Sequence, residues 1–216
     1  MFVKEIWRYP AKSMAGEQVE EIQMGLTGFA GDRRIVVTGG RDRLITARSH
    51  PGLLGLKGAI GANGKVLISR VPWDSPEALA MVRKATGEAK AELVETDSPH
   101  RFDILPLLVA TDGAIAHMGF DGRRLRPNIV IGGVTGLAER EWPGKRLQIG
   151  STVIEPAQLR GRCVMTTYDP DTLVQDRTVL KRIVSELGGV MALDTAVITG
   201  GLIGVGDEVT LLASGQ

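Results

Sequence analysis

The chain has 216 residues, 43% of them hydrophobic and 24% charged, with 26 basic against 25 acidic side chains and a net charge of +1. That balance is ordinary for a soluble globular protein and leaves no global field to hold a nucleic acid or an anionic membrane, so any basic character must be local. The longest apolar runs, such as residues 104–110, fall far short of the ~20 residues of a membrane span, and no positively charged start leads into an apolar signal core, so a cytoplasmic protein without a membrane span is expected.

Residues 2–8 and 19–24 are rich in β-formers and read as strands, the second running into a glycine-punctuated turn at 25–31. Between them, in Tyr9-Pro10-Ala11-Lys12-Ser13, the proline forces an irregular backbone and leaves Lys12 and Ser13 on a loop. A loop lysine is usually just solvated, yet an ammonium beside a hydroxyl also suits an anion. Residues 34–38, Gly39-Gly40 and residues 43–46 read as a hairpin that brings Arg33 and Arg48 to one end of the ribbon. Such a pair is either a solvated rim or a fork for an oxyanion. Residues 56–61, the turn Asn63-Gly64 and residues 65–71 form a second hairpin. A helix follows, capped by Asp74 or Ser75, opened by Pro76 and stopped at Gly87. Residues 91–95 make a strand, and the polar connector 96–101 divides an N-terminal β region, 1–97, from a core domain, 98–216.

In the second half, residues 104–110 read as a buried strand leading into Thr111-Asp112, the start of a helix. Its N-terminal N–H groups are either simply capped or turned to an anion. The run Asp121-Gly122-Arg123-Arg124-Leu125-Arg126-Pro127-Asn128 precedes the strand 129–131. Read as extended backbone, it sends Arg124, Arg126 and Asn128 to one face by period-two alternation; the other reading is a plain surface patch. Residues 139–143 are a loop, and residues 147–149 and 152–157 make another hairpin.

Cys163 comes next, the only cysteine in the chain. It excludes an internal disulfide, a four-cysteine iron–sulfur cluster and a structural zinc site, and His50, His100 and His117 are too scattered to form a ligand motif. A lone cysteine is usually a small buried hydrophobe. Here the neighbours Arg160, Gly161, Arg162, Thr166, Thr167 and Asp169 are polar or turn-forming, and an adjacent cation favours the thiolate that attacks electrophiles and ligates soft metals, so Cys163 reads as a site residue. Residues 178–187, with Val179, Leu180, Ile183, Val184 and Leu187 on one face, read as a core-facing helix ended by Gly188-Gly189. Residues 192–198 and 208–212 close the sheet. Gly200, Gly201, Gly204 and Gly206 read as turns, because glycine loops that hold phosphates open a helix after a strand. Strands dominate and helices are few, which makes the fold class β-rich α+β.

Arg162-Cys163, with Thr166-Thr167 and Asp169-Pro170-Asp171-Thr172, resembles the MOSC domain, the C-terminal domain of molybdenum cofactor sulfurases. Tyr9-Pro10-Ala11-Lys12-Ser13, Gly31-Asp32-Arg33 and Arg124-Leu125-Arg126-Pro127-Asn128-Ile129-Val130-Ile131 agree with it, in order and across nearly the whole chain. Within that family the sequence is similar to the mitochondrial amidoxime-reducing components and their bacterial counterparts. The resemblance implies a barrel-like core completed by an N-terminal β region, and a molybdenum cofactor, a pterin dithiolene bearing a phosphate and a Mo atom. It implies cofactor contacts from Lys12, Ser13, Arg33, Arg48, Thr111, Asp112, Arg124, Arg126, Asn128 and Arg162, with the Cys163 thiolate as metal ligand and catalytic residue. The sequence departs from the family at Gly113-Ala114, where a small polar residue is common, and at Leu125, where an aromatic is common.

The activity implied is a molybdenum-dependent oxidoreductase that reduces N-hydroxylated small molecules. With no cysteines for a cluster and no strand–glycine–helix signature for flavin or nicotinamide, its electrons are expected from a separate flavoprotein or iron–sulfur protein. The alternative keeps the pocket and makes the chain a sulfur or molybdenum-cofactor carrier using a persulfide on Cys163.

Overall fold

A computed structural model of the chain describes residues 1–212. Period-two burial shows plainly in the strand Arg146–Ile149, where Leu147 and Ile149 are buried while Arg146 and Gln148 face water. Eight strands form the main sheet, in the order Val209–Leu212, Arg146–Ile149, Thr152–Gly161, Val190–Thr199, Leu107–Thr111, Ile129–Gly132, Phe2–Arg8 and Glu17–Val19. Neighbours are antiparallel except Leu107–Thr111 and Ile129–Gly132, which run parallel because a helical crossover joins them.

The sheet curls on itself. Val3 N–H donates to Asp207 O at 2.8 Å and Val209 N–H to Met1 O at 2.9 Å, so the segment entering the last strand reaches round to the first. The barrel-like core so formed packs Val3, Ile6, Val109, Ile129, Leu147, Ile154 and Leu193. Two smaller sheets belong to the N-terminal half, Glu92–Glu95 with Ile35–Thr38 and Leu44–Ile45, and Gly58–Ile60 with Val66–Ile68 and Val71–Pro72. They share a second core around Ile35, Val37, Ile45, Leu53, Ile68 and Val82.

Three α-helices obey their capping chemistry. In α1, Pro76–Thr86, Ser75 Oγ accepts from Ala78 N–H at 3.1 Å and Gly87 closes the helix with φ of 70°. In α2, Asp112–Met118, the cap is Thr111, and in α3, Arg177–Leu187, it is Asp176. None of the helices among the described residues is long and apolar enough to cross a membrane.

Four sequence expectations are corrected. Val184 is 56% exposed, because α3 buries only the narrow stripe Val179, Ile183 and Leu187, at spacings of four. The strand expected over 104–110 begins only at Leu107: Pro106 has no N–H for a ladder, and Ile104 is 52% exposed. Residues 19–24 are two strands, since the chain leaves the main sheet after Val19 and pairs through Glu21–Gly25 with a third small sheet. The partner there is Gly201–Gly204, so two of the glycines read as turns lie in a strand. A Cβ at Gly201 would stand 2.7 Å from Thr152 Oγ1, which is why that strand tolerates no side chain at its start.

Gly113 yields a test. Alanine is about 1 kcal/mol better than glycine inside a helix, yet a Cβ at Gly113 would lie 2.3 Å from Val134 O and 2.6 Å from Gly136 O. Gly113→Ala is therefore expected to destabilise the protein by about 1–3 kcal/mol, read as a lower urea midpoint at unchanged slope.

Candidate functional site

The loop that follows the first strand is pinned from both sides. Tyr9 N–H donates to Asp32 Oδ1 at 2.7 Å, Arg33 N–H to Tyr9 O at 2.8 Å, and Lys12 N–H to Ile35 O at 2.8 Å. These bonds hold Ser13 and Arg33 in the left-handed region, at φ of 69° and 52°, a conformation side chains adopt only when the surroundings impose it. Lys12 is buried, not solvated: its Nζ donates to Arg101 O and Asp103 Oδ1, both at 2.8 Å, and burial lowers its pKa.

Asn128, fully buried, joins the two halves. Its Oδ1 accepts from Leu108 N–H at 3.1 Å and Arg33 Nη1 at 3.3 Å, while its Nδ2 donates to Trp7 O at 3.3 Å and Asp32 Oδ2 at 3.2 Å. With both acceptor and both donor positions committed to protein, Asn128 positions Arg33 and the first strand.

Cys163 leaves the end of the long Thr152–Gly161 and Val190–Thr199 ribbon, half-buried, at the start of a one-turn 3-10 helix, Val164–Thr167. The Thr166-Thr167 pair makes this turn. Thr166 Oγ1 donates back to Cys163 O at 2.8 Å and Thr167 Oγ1 to Val164 O at 2.7 Å. Arg124 ties the turn to the arginine-rich segment, donating to Thr167 O at 3.1 Å and pairing with Asp169 at 3.0 Å. That segment is not the extended strand expected from alternation. Gly122–Leu125 is a 3-10 turn capped by Asp121, and Arg126 is left-handed at φ of 58°. Arg124, Arg126 and Asn128 still reach one cleft, by separate routes instead of by strand period.

The cleft encloses about 770 Å³, counted with its open mouth, and is lined by Lys12, Ser13, Arg33, Arg48, Arg124, Arg126, Asn128, Arg162 and Cys163. Sequence reading did not count Arg160, Thr46, Phe102 and Asp103, which also line it. Arg160 carried a signal, three residues from the thiol; Asp103 carried none, being one acid just past a polar connector. Thr111 and Asp112 are not brought there. Thr111 Oγ1 caps α2 and bonds Glu139 at 3.2 Å, and Asp112 accepts from Gly133 and Val134 N–H at 2.9 and 3.1 Å, so that helix start is satisfied within the protein.

Seven cations thus meet one carboxylate on the cleft wall. Burial alone would raise Asp103, but the Lys12 ammonium, with Arg48 at 2.8 Å and Arg160 at 3.7 Å, more than offsets it and holds Asp103 down at about 2. Arg160 is backed by the buried Asp194 at 2.5 Å, and Arg33 by the buried Asp32. Among the described residues Arg126 and Arg162 have no carboxylate partner. Arg126 lies 4.4 Å over the Tyr9 ring, Arg162 donates to Leu125 O at 2.8 Å and leaves its buried Nε unpaired, and burial pushes both guanidinium groups down to about 10. Among the described residues no three His, Cys, Asp or Glu side chains gather as a metal site; Cys163 is the thiol the cleft offers, with the weaker thioether of Met165 beside it.

The Asp103 arrangement predicts an acid limb. Its folded pKa is below the unfolded value of 3.8, so its contribution to stability is present above that value and is lost as pH falls toward about 2. Asp103→Asn is expected to melt lower at neutral pH, where three cations lose their partner, and to lose less stability than the parent between pH 3.8 and about 2 in parallel thermal melts.

Residues 1–103 match the MOSC N-terminal beta barrel domain and residues 109–210 the MOSC domain. The chain is 25% identical to human mitochondrial amidoxime-reducing component 1 and 27% identical to human mitochondrial amidoxime reducing component 2, in each case over 81% of its own length and 68% and 69% of theirs. In fold it is similar to the crystal structure of the YUAD protein from Bacillus subtilis, with a TM-score of 0.53 at 13% identity, covering 96% of this chain and 93% of that one. With the two domains matched in sequence order and the β-rich barrel-like fold in place, the chain belongs to the MOSC domain family.

Proposed function

We propose that the cleft binds a molybdenum cofactor and that the protein reduces N-hydroxylated small molecules with electrons from a separate flavoprotein or iron–sulfur protein. The observation that carries this reading is the convergence of the chain's only thiol with a wall of seven cations and one carboxylate. The residues fit the group. Arg126 and Arg162 supply countercharge that no carboxylate pairs with among the described residues, and the buried Nε of Arg162 is a donor without an acceptor there. Lys12, Ser13, Arg33, Arg48 and Arg124 supply further donors around it. The Cys163 thiolate would be the protein's metal ligand, with the dithiolene providing the other sulfurs. When bound, the molybdenum provides two-electron exchange at one centre.

Asn128, Asp32, Asp103 and Asp194 hold the cations in place, and Thr166-Thr167 hold the thiol loop. Residues 1–97 and 98–216 each build one wall, so neither half makes the site alone. The net reaction takes up two electrons and two protons, breaks the N–O bond of an R–NH–OH group, and yields R–NH₂ and water. Relatives named for amidoxime reduction agree with that substrate class.

Three expected outcomes follow from these assignments. Cys163→Ser, expressed in a host that makes the cofactor, is expected to lose molybdenum about tenfold or more while keeping the parent melting temperature; equal molybdenum and equal turnover would remove the ligand role. Arg33→Ala, Arg48→Ala and Arg126→Ala each delete a charge-assisted contact worth ~1.5–3 kcal/mol to an anion, so released pterin fluorescence is expected to fall in each. Full occupancy in all three would make the arginines a solvated rim. Benzamidoxime reduction by the molybdenum-loaded protein is expected to be silent with NADH alone and to start with an artificial low-potential donor. Silence with every donor, together with a persulfide on Cys163 in mass spectra, would replace the reductase reading with the sulfur-carrier one.

A further inference from the structure

The cationic cleft does not end at its arginines. Arg124, Arg126 and Met165 also line an adjoining recess of about 1030 Å³, counted with its open mouth, whose walls have a different chemistry. Trp7, Tyr9 and Tyr168 present three aromatic side chains there, beside Leu54 and Met165. Trp7, Tyr168 and Met165 are only half-buried, so part of each stays free although Tyr168 and Met165 also pack against the second core. The rim is partly ion-paired: Arg123 pairs with Asp121 at 2.7 Å and Asp171 at 2.6 Å, and Arg124 pairs with Asp169 at 3.0 Å, while the exposed Lys57 stands at the edge.

The two lobes thus ask for different ligands. The first, rich in unmatched cations, calls for an anion. The second offers aromatic and apolar walls behind a rim where Arg123 and Arg124 are already ion-paired, and water held against such walls is released at little polar cost by a flat uncharged ring. Met165 belongs to the same one-turn helix that Cys163 begins, so a molecule seated in the recess lies one turn of chain from the thiol. Arg126, stacked 4.4 Å over the Tyr9 ring, stands between the lobes and belongs to both.

We infer that this recess seats the carbon skeleton of the substrate, and that the skeleton is a planar aromatic group carrying the N-hydroxylated nitrogen toward the Cys163 lobe. The inference rests on the reductase reading and adds to it the substrate's shape and the residues that select it. Tyr168 and Trp7 are the walls that decide affinity, and Ala15, which also lines the recess, marks its width.

The test uses the molybdenum-loaded full chain, an artificial donor, and two substrates that differ in size: benzamidoxime, with a ring, and hydroxylamine, with none. Tyr168→Ala, which removes a wall, and Ala15→Trp, which fills the space, are each expected to raise KM for benzamidoxime about tenfold with kcat changed less than about threefold, and Tyr168→Phe, which keeps the ring, to restore the parent KM. Benzamidoxime is also expected to quench tryptophan fluorescence saturably, and Trp7→Phe to abolish the quench. Unchanged KM in both Tyr168→Ala and Ala15→Trp, or a kcat that falls equally for both substrates, would overturn the inference. The two readings part cleanly. Hydroxylamine reduction without any benzamidoxime quench or KM effect removes the recess and leaves the reductase; saturable quench of Trp7 with neither substrate reduced removes the reductase and leaves an aromatic-binding recess.

Discussion

Positive charge in the cleft that carboxylates among the described residues only partly match is the constraint on which this structure turns. Moving a cation out of water costs several kcal/mol even after relaxation, unless a partner is supplied. Asp32 and Asp194 are fully buried and stand behind Arg33 and Arg160 without lining the cleft, and Asp103 is shared among three cations. Arg126 and Arg162 are left with a ring, a carbonyl and an unpaired nitrogen. That arrangement is the physical ground for proposing an anionic ligand in the cleft.

Holding the cations at fixed positions requires that the two halves of the chain not slide. Asn128 performs that task, because one amide binds the first strand at Trp7, the turn carboxylate Asp32, the guanidinium of Arg33 and the backbone of Leu108. The barrel-like closure between Val3 and Asp207 anchors the same first strand at its other end. Cleft and core are therefore coupled: a shift of the first strand moves Tyr9, and with it the platform under Arg126.

The thiol is placed by equally local means. Two threonine hydroxyls fold the backbone after Cys163 into one turn, and Asp169 then accepts from Asp171 and Thr172 N–H at 3.1 and 2.9 Å while pairing with Arg124. The motif that names the family in sequence is thus a turn whose side chains saturate each other and dock on the arginine segment. It also builds the ion-paired part of the rim of the aromatic recess, so the same residues hold the thiol and shape the space beside it.

What the sequence determined by itself was whatever acts within a few residues. The cap Ser75, the opening Pro76 and the closing Gly87 of α1, the hairpin turned at Asn63-Gly64 and the polar loop of Cys163 all follow from local hydrogen bonding and backbone freedom, and all are present; the hairpin read across Gly39-Gly40 is present too, but it turns through residues 39–43 with the positive φ on Arg41. The cluster of Arg124, Arg126 and Asn128 was legible as a site but not in its geometry, since a capped turn at Asp121 replaced the strand. Thr111-Asp112 was open between a capped helix and an anion site, and only the resemblance drew it into the site; the folded chain brings Glu139, Gly133 and Val134 to engage that start. Asp103 and the aromatic recess were beyond local reading. Lys12 and Asp103 are 91 residues apart, Asn128 and Trp7 are 121, and no propensity or spacing rule spans such distances. Tertiary packing decides them, because burial and pairing of charge depend on which segments meet, and that is fixed by the closure of the sheet and the joint at Asn128.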